Sequence, residues 1–168
     1  MSDETLVLGL GNPLRGDDGI GPAVLEWLRQ RGLPPDVVAV DGGTAGLELV
    51  NVLQRRQRVL IIDAAHIGRA PGEWICLALD PARLAADEAT LSLHTAGLAE
   101  ALALCEALGV LPEEIILFGV QPAGLDWSIS LSAEARAVVP VVGQAVLQAL
   151  RERSSSFLSS RLRGQESA

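Results

Sequence analysis

At 168 residues, 49% hydrophobic and 20% charged, the chain has the composition of one globular domain long enough to bury a substantial core. Its net charge of −8 and pI near 4.7 argue against a nucleic-acid binder, which needs clustered Lys and Arg. All 13 basic residues are Arg and there is no Tyr, which removes Schiff-base chemistry, a Walker-type lysine and a phenolic acid.

Along the chain, strand and helix patterns alternate. TLVLGL (5–10) is a continuous apolar run, as in a strand buried on both faces. IGPAVLEWLRQR (20–31) spaces Ile20, Val24 and Leu28 four apart, with Pro22 suited to a first turn and Gly32 to a stop. DVVAVD (36–41) reads as the second strand, followed by a helix over about 45–55 with Thr44 as its N-cap. RVLIID (58–63) is the third strand and EWICLALD (73–80) the fourth. The connection AAHIGRAPG between them is too short for a crossover helix, so the fourth strand is expected to be antiparallel and at an edge.

The helix over 95–109 carries Leu98, Leu102 and Cys105 on one stripe, and EIILFGV (114–120) is the fifth strand. A last helix over about 132–152 starts near Ser132 and is expected to bend or break at Pro140. The pattern predicts an α/β fold. It is a single three-layer domain over 1–152, with an about five-stranded, mostly parallel twisted sheet, one antiparallel edge strand and helices on both faces. Residues 153–168 form a polar, Ser-rich tail expected to be disordered. Cys76 and Cys105 sit in apolar surroundings and read as buried small hydrophobes. Trp27, Trp74 and Trp127 are too dispersed to suggest an aromatic platform and are expected in the core or at its rim. No apolar run approaches the roughly 18 residues of a membrane span, and MSDETLVLGL lacks the features of a signal peptide, so a cytoplasmic location is expected.

Right-handed crossovers gather the C-terminal ends of parallel strands at one edge, where such sheets bind ligands. Three strands end there in carboxylates. The first opens into GLGNPLRGDDGIG (9–21), carrying Asp17 and Asp18; the second ends in Asp41 and the third in Asp63. His94, at the loop-to-helix junction in SLHTAGL, can reach the same edge. Two carboxylates and an imidazole from separate elements suit a divalent transition metal with a position left for water or substrate. The structural alternative has Asp18 capping the helix it precedes, Asp63 bonding loop amides and His94 capping its own helix. A dinucleotide loop fits poorly. G-x-G-x-x-G requires glycine where Leu14 stands, and two adjacent aspartates would repel a pyrophosphate at the helix start. Asp17 and Asp18 cannot both point into one small site without mutual repulsion, so one is expected as ligand and the other as an outer cap or loop brace. His66 reads as a solvent-facing loop histidine, with an alternate ligand or proton shuttle as the rival role. Asn12 is expected to bond loop backbone.

GNPLRGDDGIG, DGGTAGLELV, LIIDA, PGE, SLHTAGLAEAL and FGVQPAGLDW, in this order from about Leu6 to Leu150, resemble the [NiFe]-hydrogenase maturation endopeptidases. The resemblance implies a cytoplasmic hydrolase, grouped with aspartic-type endopeptidases. It would remove the C-terminal peptide of a hydrogenase large-subunit precursor after nickel insertion, the nickel arriving with the substrate. By motif, the implied metal-contacting residues are Asp18, Asp63 and His94, with Asp41 implied in substrate recognition or cleavage. Two other readings compete. One is a nickel-dependent chaperone or scaffold that holds the precursor without cutting it. The other is a peptidyl-tRNA hydrolase, which shares the GLGNP opening but uses an early histidine and a basic surface, whereas here no histidine precedes His66. Monomer is slightly favoured over a homo-oligomer.

Overall fold

The computed structural model describes residues 2–80, 92–93 and 97–152. The main sheet runs in the order β2 (Val37–Gly43), β1 (Ser2–Leu10), β3 (Arg56–His66), β6 (Glu114–Val120) and β4 (Trp74–Ala78). The first four are parallel, and β4 lies antiparallel to β6 at the edge, as the short 64–72 connection requires. A two-residue strand, β5 (Ser92–Leu93), pairs antiparallel with the end of β3 and was not visible in the sequence pattern.

Side-chain alternation on the buried strands makes the fold three-layered. Val7, Leu60, Ile62, Ile116 and Phe118 pack under α1 (Ile20–Arg31) and α4 (Ala133–Arg151). Leu6, Leu8, Val59, Ile61 and Leu117 face the opposite way, toward α2 (Val50–Leu53) and α3 (Leu98–Ala107). The expected stripe of Leu98, Leu102 and Cys105 is buried in this second cluster. Both cysteines are buried and neither forms a disulfide, and burial pushes the Cys105 thiol above its ordinary pKa, as suits an inert core thiol. Trp74 stacks on Phe118 with centroids 6.3 Å apart, and the Arg31 guanidinium lies 3.5 Å above the Trp27 ring.

Two helices differ from expectation. The second is only Val50–Leu53, entered through a 3-10 turn at Leu47–Leu49. Gly46, not Thr44, precedes that turn, and no side chain caps it. Its far end is set by Arg55, whose φ of 64° turns the chain directly into β3. The last helix runs unbroken through Pro140. Pro140 is exposed, so the carbonyl of Arg136, one turn earlier and also exposed, can be hydrated instead of hydrogen-bonded. The 153–168 tail lies outside the described residues.

The join between sheet and first helix depends on one glycine. Gly21, in the first turn of α1, sits against the carboxyl ends of β1 and β3. A Cβ there would collide with the Leu10 carbonyl oxygen and lie 2.8 Å from that of Ile62. Because the obstacles are backbone atoms of central strands, Gly21→Ala is expected to destabilise the domain by about 2 to 3 kcal/mol in denaturant unfolding.

Candidate active site at the switch point of the sheet

The chain leaves β1 for β2 on one side and returns past β1 to β3 on the other, so the order of strands reverses between β1 and β3. Ligand sites of open α/β sheets form outside the carboxyl ends of strands at such a point. Gly21 touches both Leu10 and Ile62, so it ties the glycine loop carrying Asp18 to the strand end carrying Asp63.

The loop's conformation follows from its sequence. Gly11 has a φ of 116°, and any Cβ there would collide with the carbonyl of Asp18. The Asn12 side-chain oxygen accepts from the Leu14 amide at 2.9 Å, the expected backbone role. Gly16–Gly19 then form a 3-10 turn that carries both aspartates into α1, and no side chain caps that helix. Asp18 is therefore not an N-cap. Its Oδ2 accepts from the Asn12 amide at 2.8 Å, while its Oδ1 is buried without a hydrogen-bond partner among the described residues.

Asp17 is employed quite differently. Its carboxylate accepts from the Ala123 amide at 2.8 Å and from both the amide and the hydroxyl of Ser132 at 2.7 Å. Ser132 in turn caps α4 by accepting from the Ala135 amide at 3.1 Å. Asp17 is the brace the sequence suggested.

Asp63 is completely buried in β3, paired with Gly119 of β6 and one residue beyond the Gly9–Ile62 pair with β1. It continues the Val59 and Ile61 series, on the sheet face covered by α3. His94 lies outside the described residues, but the chain is anchored on both sides of it. Leu93 pairs with Ala65, two residues past Asp63, and Gly97 packs so closely on Gly46 that a Cβ would collide with the Gly46 backbone. Among the described residues, no group of three His, Cys, Asp or Glu is placed to hold a metal ion.

Asp41 pairs with Gly9, whose other neighbour is Ile62, so Asp41 lies two strands from the end of β3, about 10 Å away at ordinary strand spacing. It is exposed, and its Oδ1 accepts from the Gly43 amide at 2.9 Å. The spacing separates it from an ion held at Asp63 but leaves it within reach of a peptide laid across the edge. His66 is exposed, as expected, but it ends β3 rather than sitting in a loop. It falls on the opposite strand parity from Asp63, with Nδ1 3.3 Å from Gln121 Nε2. Gln121 lies in the FGVQPAGLDW motif, but nothing in the sequence assigns it a role. Largely buried, it also accepts from the Ile67 amide at 2.8 Å and holds the turn after β3.

Residues 22–149 match the family model described as Hydrogenase maturation protease. The chain is 38% identical over 149 residues to the Hydrogenase 2 maturation protease of Escherichia coli K12, covering 88% of this chain and 90% of that protein. The solved structure of the hydrogenase maturating endopeptidase HybD from E. coli superposes with a TM-score of 0.78 at 38% identity, over 88% of this chain and 92% of that one. A [NiFe] hydrogenase maturation protease from Thermococcus kodakarensis superposes with a TM-score of 0.72 at 26% identity, over 86% and 97% of the two chains.

Proposed function

The chain belongs to the hydrogenase maturation protease family, and on that premise we propose that it trims the C-terminal peptide from a nickel-loaded [NiFe]-hydrogenase large-subunit precursor. It is a peptidase, and its substrates are hydrogenase precursors. The observation that carries the mechanistic reading is the buried Asp18 Oδ1. A buried carboxylate oxygen without a donor is costly, and a cation brought to it offsets that cost. The wholly buried Asp63 at the same switch point gives such a cation a second anionic contact.

In this reading nickel is part of the substrate. Asp18, Asp63 and His94 complete the coordination of an ion already held by the precursor's cysteines. That docking orients the scissile bond at the edge of the sheet and polarises the attacking water. Asp41, exposed at the end of β2, is assigned to the peptide as a recognition or proton-transfer group and not to the ion. Without nickel the three ligands have nothing to close around, which makes metal loading the check before cutting. A cytoplasmic location belongs to this reading. Among the described residues no helix is long and apolar enough to cross a membrane.

The test is incubation of the protein with precursor, with and without prior nickel loading, read by intact mass. Loss of the C-terminal peptide only from the nickel-loaded precursor is expected. Tight binding without a mass change would replace the peptidase with the scaffold reading.

A further inference from the structure

The Asp17 brace belongs to a larger clasp. Residues 123–132 are fastened to the glycine loop by the Gly16 amide donating to the Ser128 carbonyl at 2.8 Å and the Ser128 amide donating to Leu14 at 2.9 Å. The Asp17 amide donates to Gly124 at 3.1 Å, and Arg15 Nε to the Leu125 carbonyl at 3.2 Å. Arg15 and Ser128 thereby form a parallel bridge, which sets Leu14 beside Trp127. A segment held this firmly would normally turn its large apolar side chains inward. Here Trp127 is 76% exposed, Ile129 86% and Leu14 53%, and the Arg15 guanidinium lies 5.7 Å from the Trp127 ring centroid, along its face. Trp127 is neither core nor covered rim.

We propose that Leu14, Trp127 and Ile129 form an apolar platform that seats an extended apolar segment of the precursor adjoining the scissile bond. The proposal rests on the peptidase reading above and names a second contact surface for the same substrate. Continuity places it there: the loop that presents Leu14 and Arg15 delivers Asp18 to the switch point three residues later. A chain held at Asp18 through its metal therefore lies within about 10 Å of backbone reach of this platform. Size separates the precursor from a second copy of this chain as occupant. Three such side chains offer on the order of 400 Å², whereas a stable dimer buries about 800 Å² on each partner. The surface suits a few anchoring side chains of a partner fixed elsewhere. Firm fastening also lowers the entropic cost of binding, because the platform is ordered in advance.

The experiment compares wild type with the double variant W127S/I129S, and with L108S as control. Leu108 is 59% exposed at the far end of α3, away from the clasp. Binding of the nickel-loaded precursor that still carries its C-terminal extension is measured by calorimetry, and trimming at saturating precursor by intact mass. The double variant is expected to raise Kd at least about tenfold, with saturated trimming within about threefold of wild type and L108S unchanged. Equal Kd values for wild type and W127S/I129S would overturn the platform. So would wild-type protein that self-associates through Trp127 at working concentration while the double variant does not, since the surface would then belong to a second copy. Wild-type protein that binds in a Trp127-dependent way but never trims would retain the platform and remove the peptidase reading.

Discussion

Asp63→Asn is expected to lower trimming of nickel-loaded precursor by at least about 10²-fold, the scale of removing one charged group from a preorganised site. Asn has the same shape and keeps one carbonyl oxygen, so packing in β3 is preserved while the anion is lost. The position is wholly buried, between β1 and β6 in the centre of the sheet. The variant, measured without precursor, should still fold and unfold cooperatively while activity collapses. A folded protein that no longer trims is what identifies a functional charge. Normal trimming by the Asn variant, with nickel still required, would remove Asp63 from the site.

How much of this was legible in the chain depends on whether the signal was local. β1, β3 and β6 read directly as apolar runs, because strands buried on both faces leave no polar position to confuse the pattern. The antiparallel edge strand followed from the length of one connection. The helix expected over 45–55 differs at its start, where Leu47–Leu49 form an uncapped 3-10 turn and α-helix begins only at Val50. It ends near the expected position, just ahead of Arg55 in a left-handed conformation. Pro140 misled, since a proline on the solvated face of a long amphipathic helix removes only a bond that water replaces. At the site, strand ends located Asp41 and Asp63, and charge repulsion implied that only one of Asp17 and Asp18 enters it, while the choice of Asp18 came from the motif resemblance. The clasp with residues 123–132 was invisible, because its hydrogen bonds join groups more than a hundred positions apart, many of them backbone. For the same reason the exposure of Trp127 could not be foreseen: the same side chain would be core if the segment turned the other way.

The adjacent aspartates allow the sharpest separation of roles. Asp17→Ala is expected to destabilise the domain by about 3 kcal/mol or more. Three donors, the Ala123 amide and the Ser132 amide and hydroxyl, lose a charged acceptor at once, and a hydrogen bond to a charged group is worth about 1.5 to 3 kcal/mol. The damage spreads because Ser132 is also the cap of α4, whose inner face fills the core against α1. For a domain of this size the melting temperature should fall by roughly 6 to 12 °C. Asp18→Asn should leave it nearly unchanged. One oxygen accepts a single amide, which the Asn carbonyl can keep, and the other has no hydrogen bond to lose among the described residues. Trimming should follow the reverse order: abolished in the Asp18 variant, and retained in the Asp17 variant at temperatures where it remains folded. Thermal melts and trimming assays on the two proteins, run side by side at low temperature, check both halves. An Asp18 variant that melts early yet cuts normally would exchange the two roles, and the nickel contact would have to move to Asp17, whose carboxylate is already committed to three donors.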